Sequence, residues 1–431
     1  MKPLKLGICG LGTVASGLIE ILTQDPVRLS ERAGRHLCIA RIASRTPRPE
    51  RMPEDAEFST DPFALIDDPE IDLVIELIGG VEPARSLLMR ALELGKPIVT
   101  ANKEVLAKHG DALFGRARAR NVPIGFEASV GGGIPIIKIM REALGGDDIL
   151  RIAGIVNGTT NFVLSRMDED GASFDAALAE AKSLGYAEAV PDYDIDGVDA
   201  AHKLAILVSL AWGVPFDVGR VRTQGVVGID LEDLALAKRL GYFVKHLGFA
   251  QQVDGQVETR VFPALVPQSS LLARVGGVTN AVEVTSRALG KSLYIGAGAG
   301  ALPTANSVLS DVLDIAAGRS AGSLPNQGQD KIAKIAEDES SSAYYLRAQV
   351  DDKTGVLARF TEMLAGQGVG IDRLLQSEIE AAARQAPADG VSVALITHAT
   401  SESHMREAVA CIQAMPEVRG QVSLIRVFDG D

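Results

Sequence analysis

Residues 185–203, with the sequence GYAEAVPDYDIDGVDAAHK, carry five carboxylates and end on a single lysine. Asp199 and Lys203 are four residues apart in a helical pattern of apolar residues that begins at Val198. Residues at this spacing share one face of a helix. A lysine held beside carboxylates stays protonated and oriented, so it can exchange a proton with a substrate. The other carboxylates would bind an ammonium group, which favours an amino-acid substrate.

Two other interpretations apply to this acidic stretch. Residues 192–197 match the first half of an EF-hand calcium loop, but Lys203 stands where that loop requires a bidentate glutamate. Calcium is therefore rejected. A solvated ion pair between Asp199 and Lys203 is the second alternative. Such a pair would contribute only roughly 0.3–0.5 kcal/mol and predicts no cleft.

A glycine-rich turn lies close to the first residue of the chain. Leu4–Cys9 is an apolar run typical of a buried strand, and Gly10, Gly12 and Ala15 follow it in the pattern G-x-G-x-x-A. Gly10 permits a tight turn, Gly12 lets a pyrophosphate approach the backbone, and the following helix offers free N–H groups. Strands and helices then alternate as far as residue 127, which predicts a parallel, doubly wound sheet that binds a dinucleotide.

The end of the second predicted strand, Leu37–Ala43, bears on the choice of nucleotide. An NAD site usually has an acidic residue there for the ribose hydroxyl, whereas this chain has Ser44 and Arg45. Arg45 can pair with a 2′-phosphate, which favours NADP; a solvated surface arginine is the alternative. Arg48 and Arg51 leave the assignment of the phosphate ligand open.

Two loops follow further predicted strands at the carboxyl edge of the sheet, where ligands bind. After Pro97–Thr100, Lys103 is expected near the junction of cofactor and substrate. After Val122–Phe126 come three consecutive glycines, residues 131–133. Their carbonyls could hold a monovalent cation and their amides an anion, or the loop could be a flexible crossing between domains.

Composition excludes several classes of partner. The net charge of −13 over 431 residues argues against nucleic acid or an anionic membrane as the main partner. Three scattered cysteines show neither metal-ligand nor disulfide spacing. No secretory signal and no apolar run of membrane-spanning length is found, so a cytoplasmic protein with reduced thiols is expected.

Six segments, in order along the chain, resemble the homoserine dehydrogenase family: GLGTVASG at 10–17, VTANKE at 99–104, EASVGGGIP at 127–135, NGTTNF at 157–162, GYAEAVPDYDIDGVDAAHK at 185–203 and GAGAGALPT at 296–304. The resemblance implies NAD(P)H-dependent, reversible reduction of L-aspartate 4-semialdehyde to L-homoserine, in the biosynthesis of threonine, methionine and isoleucine. The alternative is a nucleotide-sensing, amino-acid-binding regulator without turnover.

The resemblance also implies residue roles. Lys203 would be the acid/base, Asp199 the carboxylate that positions it, and Lys103 a second amine in the site. The substrate would contact Glu188, Asp194, Tyr186, Gly158 and Thr159. The cofactor would contact Gly10, Gly12, Thr13, Val14, Arg45, Thr100, Lys103, Gly185 and Gly300. A structural sodium ion would be held by main-chain oxygens of Glu127, Val130, Gly132 and Ile134.

These segments predict an α/β protein of three domains. They are an N-terminal doubly wound Rossmann domain at 1–148 and 301–320, a central α+β catalytic and dimerisation domain at 149–300, a linker at 321–342, and a ferredoxin-like ACT domain at 343–431. The order βαββαβ predicts the ferredoxin-like fold. The turn D-x-x-G-x-L at 352–357 resembles the ACT domain, which implies L-threonine as an effector near Asp351–Leu357. A module that only dimerises is the alternative, and a homodimer or homotetramer is expected.

Overall fold

The computed structural model describes residues 2–187, 191–319, 341–377 and 390–430. Glu188 and most of the predicted linker therefore lie outside the described residues. The described chain forms two compact units. The first comprises residues 2–152, 201–221 and 280–319, and the second comprises the described residues of 153–200, 222–279 and 341–430. The three-domain division stays a prediction.

The regular elements are numbered in chain order. The strands are β1 Leu4–Cys9, β2 Leu37–Ala43, β3 Glu57–Ser59, β4 Leu73–Glu76, β5 Ile98–Thr100, β6 Ile124–Gly125, β7 Ile149–Ile155, β8 Arg222–Thr223, β9 Tyr242–Val253, β10 Gln256–Pro267, β11 Thr279–Ser286, β12 Gly290–Ala297, β13 Ser341–Ser342, β14 Tyr344–Asp351, β15 Ile371–Ser377, β16 Gly390–Thr397, β17 Thr400–Ser401 and β18 Val418–Val427. The helices are α1 Thr13–Gln24, α2 Pro26–Ala33, α3 Pro62–Asp67, α4 Ala84–Glu93, α5 Lys103–Arg120, α6 Ile136–Lys138, α7 Gly158–Asp170, α8 Phe174–Ser183, α9 Asp192–Ile195, α10 Val198–Trp212, α11 Leu231–Arg239, α12 Ala301–Ala316, α13 Val356–Gly366 and α14 Glu402–Gln413.

The first unit is built on a six-stranded parallel sheet. Its strand order, β3-β2-β1-β4-β5-β6, is that of a dinucleotide-binding fold, as predicted. Apolar side chains of β1, such as the fully buried Leu6 and Ile8, form a core with α1 and α12. Helix α12 packs closely on α1 at Gly17, where an added Cβ would lie 2.6 Å from the carbonyl oxygen of Ala301. A side chain at position 17 would therefore push the two helices apart.

The second unit contains a long antiparallel hairpin joined to a smaller antiparallel sheet. Strands β9 and β10 pair along their whole length, and β10 pairs in parallel with β18 at Ala264 and Leu265. The sheet continues in the order β18-β14-β16-β15. Together with α13 and α14 these strands follow the predicted βαββαβ order. One face of this sheet packs with α13 and α14, and the other face packs with α7, α8 and α11.

Some predicted boundaries are wrong. The residues Asn157-Gly-Thr-Thr-Asn161 predict a turn that leads to a helix over Phe162–Met167, but α7 already begins at Gly158. The reason is a cap: the side-chain oxygen of Asn157 accepts the Thr160 N–H at 2.8 Å. The strand expected over Val122–Phe126 is reduced to β6. At the end of the predicted linker, Ser341 and Ser342 form β13, which pairs with β17.

The described residues also show the state of the cysteines, and whether they contain a metal-binding cluster or a membrane-spanning helix. All three cysteines are free thiols. Burial, reinforced by the charge of Glu76, raises the pKa of Cys9 to about 12, so this thiol stays protonated at neutral pH and is a poor nucleophile. Across the described ranges, no three His, Cys, Asp or Glu side chains are grouped to hold a metal ion. Likewise, no helix in them is long and apolar enough to cross a bilayer.

Candidate active site

A cavity of about 390 Å³ lies at the carboxyl ends of β1, β2 and β4 in the first unit. Gly10 and Gly12 line it. Gly10 has a φ of +105°, and a Cβ there would lie 2.6 Å from the carbonyl oxygen of Leu77, so the turn requires glycine. Gly12 precedes α1 without any side-chain cap, which leaves the first N–H groups of that helix available. These N–H groups, uncapped at the end of a helix, suit a phosphate.

Two of the three neighbouring arginines line this cavity. Arg45 and Arg48 do so, and Arg45 is exposed. Arg51 instead donates to the hydroxyl of Ser16 at 3.1 Å. Of the three arginines that the sequence left open, Arg45 and Arg48 therefore line the cavity and Arg51 does not.

Other predicted cofactor residues take up defined positions in the first unit. Thr13 and Val14 are the first two residues of α1. Lys103, half-buried, is the first residue of α5, which Asn102 caps by accepting the Val105 N–H at 3.1 Å. Gly300, with a φ of +126°, precedes α12. None of these four residues lines the cavity described above. Gly185, with a φ of +75°, lies in the second unit.

The buried carboxylate of Glu76, which was not among the predicted site residues, holds together two loops at the carboxyl edge of the sheet. Glu76 is fully buried at the end of β4 and accepts the hydroxyl of Thr100 at 2.6 Å. It also accepts the N–H groups of Ile78 and Gly79, at 2.8 and 3.2 Å. Leu77, Ile78 and Gly79 line the cavity, so Glu76 ties that loop to the predicted cofactor residue Thr100. The available signal was a charged residue inside the apolar run Ile71–Leu77.

In the second unit, one side-chain amide bridges two of the predicted carboxylates. Asn157, 4 % exposed, donates from Nδ2 to Asp194 Oδ1 at 2.8 Å and to Asp199 Oδ2 at 2.9 Å. Its oxygen is already engaged in capping α7, so the orientation of the amide is fixed. Asp199 is 5 % exposed. Asn157 was not among the predicted site residues, although it begins the segment NGTTNF.

The predicted substrate residues on α7 and after α8 lie around the same two carboxylates. The Thr159 hydroxyl lies 2.6 Å from the carbonyl oxygen of Tyr186 and 3.2 Å from Asp194 Oδ2. Gly158 is the first residue of α7, and Tyr186 is 44 % exposed. Thr159, Tyr186, Asp194 and Asp199 are thus brought together, whereas Glu188 cannot be placed because it lies outside the described residues.

Helix α10 carries Asp199 in its first turn and Lys203 one turn later, as predicted. Lys203 is half-buried, so it is not simply a solvated surface lysine. The helix is strongly apolar beyond these two residues, with Leu204, Ile206 and Leu207 almost completely buried. Packing of these side chains fixes the rotation of α10 and with it the direction in which the charged face points.

His246, on β9, contacts Thr160, which in turn contacts the capping residue Asn157. Its Nε2 donates to the carbonyl of Gln224 at 2.9 Å, so the proton is on Nε2. Its Nδ1 lies 3.4 Å from the hydroxyl of Thr160, which in turn is 3.1 Å from Asn157 Oδ1. Burial lowers the pKa of His246 to about 4, against a smaller opposing effect of the Gln224 hydrogen bond.

We expect His246 to make unfolding pH-dependent. Because its pKa is lower in the folded chain than the usual value near 6.5, its contribution is fully present above pH ~6.5 and is lost as the pH falls toward ~4. The full loss is about 3 kcal/mol. Urea unfolding at pH 7.5 and pH 5 should show wild type losing about 2 kcal/mol more between these values than His246→Gln. Equal losses in the two proteins would contradict the assignment.

The glycine loop at 131–133 is buried in the first unit. The carbonyl of Gly132 accepts the Ser307 hydroxyl at 2.6 Å, and that of Ile134 accepts the Ile136 N–H at 2.7 Å. Each oxygen keeps one further lone pair. Glu127, just before the loop, accepts the N–H groups of Ile137 and Lys138, each at 2.9 Å. Burial raises the pKa of Glu127 to about 7, with a further contribution from Asp311.

The parallel sheet with its glycine cradle, and a buried aspartate one helical turn before a lysine, are features of an NAD(P)-dependent oxidoreductase. Comparison with known proteins narrows the class. The family model "Homoserine dehydrogenase, NAD binding domain" matches residues 10–127, and the family model "Homoserine dehydrogenase" matches residues 135–313. The chain belongs to the homoserine dehydrogenase family.

Two of the similar proteins match almost the full length of the chain, and a third matches part of it. The homoserine dehydrogenase of Pseudomonas aeruginosa is 43 % identical over 99 % of both chains. The crystal structure of a homoserine dehydrogenase from Thiobacillus denitrificans is 42 % identical, covers 99 % of both chains and gives a TM-score of 0.91. A hyperthermophilic archaeal homoserine dehydrogenase in complex with NADPH is 28 % identical, covers 73 % of this chain and 97 % of its own, and gives a TM-score of 0.62.

We expect Arg45 to set the preference between the two nicotinamide cofactors. If Arg45 binds a 2′-phosphate, replacing it with alanine would remove one charge-assisted hydrogen bond, so KM for NADP should rise roughly 10- to 100-fold while KM for NAD stays nearly constant. Steady-state kinetics with each cofactor measure this difference. Arg48→Ala, measured in the same way, tests the other arginine that lines the cavity. Equal losses with NAD and NADP would remove Arg45 from this role.

Proposed function

We propose that this protein catalyses the reversible, NAD(P)H-dependent reduction of L-aspartate 4-semialdehyde to L-homoserine. The observation that carries the proposal is the buried amide of Asn157, which bridges Asp194 and Asp199. Asp199 lies one helical turn before Lys203 on α10. Such an arrangement suits recognition of an amino acid combined with transfer of a proton. The family to which the chain belongs supports the same conclusion.

Each proposed residue has a defined task in this reaction. The nicotinamide, when bound, supplies a hydride to the aldehyde carbon. Lys203 donates a proton to the carbonyl oxygen, so that the aldehyde gains one hydride and one proton and becomes the alcohol. Asp199, one helical turn earlier on α10, orients the Lys203 side chain. Asp194 and Glu188 bind the substrate ammonium group, Thr159, Gly158 and Tyr186 line the substrate, and Lys103 is a second amine in the site.

The chemistry of the thiols also favours this reaction over thioester formation. An enzyme that oxidises an aldehyde through a thioester requires a thiolate nucleophile. Cys9, at the end of β1, is buried with its pKa raised, and Cys38 and Cys411 are partly buried outside any predicted motif. Proton donation by Lys203 needs no thiolate.

Absorbance at 340 nm distinguishes this function from the alternative of a regulator without turnover. Adding L-homoserine and NADP to the protein should produce a continuous rise in absorbance as NADPH forms. A matched reaction with L-serine, one methylene shorter, should be much slower because its hydroxyl lies closer to the ammonium group. Folded protein that binds NADPH but gives no rise with L-homoserine would favour the regulator.

We further propose NADP as the preferred nucleotide and a structural sodium ion at the glycine loop. Arg45 and Arg48 at the cavity, and the absence of an acidic residue at Ser44 and Arg45, support the nucleotide. The main-chain oxygens of Glu127, Val130, Gly132 and Ile134 would hold the ion. Their burial and the neighbouring carboxylates Glu127 and Asp311 support a cation over an anion.

We also propose that the C-terminal segment is an ACT domain through which L-threonine regulates the enzyme. The βαββαβ order and the turn between β14 and α13 support this proposal. Asp351, at the end of β14, pairs with Arg419 at 2.6 Å and with Lys353 at 2.7 Å, which orders the start of that turn. A cytoplasmic homodimer or homotetramer completes the proposal. Steady-state rates with added threonine, and sedimentation, test these points.

A further inference from the structure

A second cavity, of about 420 Å³, lies in the second unit and shares no residue with the proposed substrate or cofactor sets. Residues from α7, from the end of α11, from β9 and from the segment between β10 and β11 line it. They include the two lysines Lys238 and Lys245 and the arginine Arg274, together with the acids Asp168 and Glu169.

The most buried charge in this cavity is the ammonium group of Lys245. The residue is 7 % exposed, and Nζ donates to the carbonyl of Val275 at 2.8 Å. Within the described residues, that carbonyl is its only hydrogen-bond partner, although an ammonium group has three donors. Burial lowers the pKa of Lys245, while the charges of Asp168 and Glu169 oppose the effect. A buried donor without a partner is costly, so an acceptor inside the cavity would stabilise this group.

The wall around Lys245 is held in place by other contacts. Asn161 donates to the carbonyl of Gly277 at 3.0 Å and lies 3.4 Å from that of Val275. The hydroxyl of Ser165 accepts the Gly277 N–H at 3.0 Å. These contacts from α7 fix the loop that carries the Val275 carbonyl, the partner of Lys245.

The remaining charges of the cavity leave a cationic excess. Lys238 pairs with Asp168 at 3.2 Å, so these two groups neutralise each other. Of the remaining charged residues that line the cavity, Lys245 and Arg274 are cationic and only Glu169 is anionic. Arg274 is exposed, and no residue in the described parts of the chain pairs with its guanidinium. A cavity lined by an ammonium group and a guanidinium suits a ligand that carries a carboxylate.

We propose that this cavity binds a small organic carboxylate through Lys245 and Arg274. One carboxylate on the ligand would neutralise the excess positive charge and accept hydrogen bonds from both residues. Glu169 would in addition bind an ammonium group if the ligand is an amino acid. The ligand is thus defined by its carboxylate, and either a simple acid or an amino acid can supply it.

Isothermal titration with propionate and with L-alanine tests the proposal, because the two differ mainly by the α-ammonium group. Wild type should bind at least one of them saturably. Lys245→Met should weaken binding at least tenfold, and Arg274→Gln severalfold. Lys182→Met, at an exposed lysine on α8, is the matched control and should bind as wild type does. Tighter binding of alanine that is lost in Glu169→Gln identifies an amino-acid ligand, and equal binding identifies a simple acid.

Absence of saturable binding to wild type, or unchanged binding in Arg274→Gln, overturns the proposal. Arg274 is exposed and has no described partner, so Arg274→Gln is expected to fold even if Lys245→Met does not. The titration contains neither nicotinamide nor homoserine. Its failure would therefore leave the proposed dehydrogenase activity untouched, and failure of that activity would not affect the titration.

Discussion

Replacing Lys203 with alanine is expected to lower kcat by at least about 10³-fold while leaving the affinity for NADPH unchanged. A general acid contributes about 10²–10⁴, and Lys203 also stabilises the negative charge that develops on the aldehyde oxygen. The nucleotide cradle at Gly10 and Gly12 contains no atom of Lys203. NADPH fluorescence measures the retained affinity, and steady-state rates at 340 nm measure the loss.

Lys108→Ala is the matched control for this substitution. Lys108 and Glu104 form an i,i+4 pair on α5 at 2.7 Å, the same spacing as Asp199 and Lys203, but on a face with 40 % of the lysine exposed. An exposed pair of this kind contributes little, so the variant should turn over within about twofold of wild type. Near-normal rates in Lys203→Ala, or an equal loss in both variants, would remove Lys203 from the acid/base role.

The second large effect is expected on stability, at Arg347 of β14. Its guanidinium contacts three carboxylates at the start of α11: Nε lies 2.6 Å from Asp233, Nη1 lies 2.9 Å from Glu232, and Nη2 lies 2.6 Å from Asp230. Asp233 is completely buried and also receives hydrogen bonds from Tyr345 and Ser423. Burial opposes the charge on Arg347, but Asp233 and Asp230 outweigh it and raise the pKa of Arg347.

Arg347→Met should destabilise the protein by about 3–5 kcal/mol, because it leaves buried carboxylates without their cation. Urea unfolding at pH 7.5 measures the change. The defect should shrink at pH 5, since burial and the nearby Asp233 raise the pKa of Asp230, which then protonates more readily. Arg287→Met is the control, because Arg287 and Asp148 pair at 3.0 Å with both side chains about 70 % exposed. That variant should change stability by no more than about 0.5 kcal/mol, and a similar small change for Arg347→Met would contradict the argument.

Much of the nucleotide-binding unit could be predicted because its signals are local. β1 and β2 have the bounds expected from their apolar runs, since the glycine turn and the polar Ser44 end them sharply. Helix α10 begins at Val198 as its periodicity indicates. The parallel order of the sheet follows from the alternation of strands and helices.

Contacts distant in sequence could not be predicted. Asn157 bridges residues 37 and 42 positions away, and nothing in a single sequence links them. The long strands β9 and β10 were not anticipated, and the cavity around Lys245 depends on their packing with α7. α7 itself was predicted to begin too late, because Gly158, Thr159 and Thr160 favour turns unless a cap and tertiary packing override that preference.

A crystal structure of the protein with NADPH and L-homoserine, a complex that cannot react, tests the central claim most directly. The account predicts Nζ of Lys203 within about 2.6–3.2 Å of the homoserine hydroxyl oxygen, with the carbon that bears it facing the nicotinamide. The ammonium group of homoserine should lie against Asp194. A Lys203 side chain turned to bulk solvent, with the hydroxyl bound by other groups, would contradict the account.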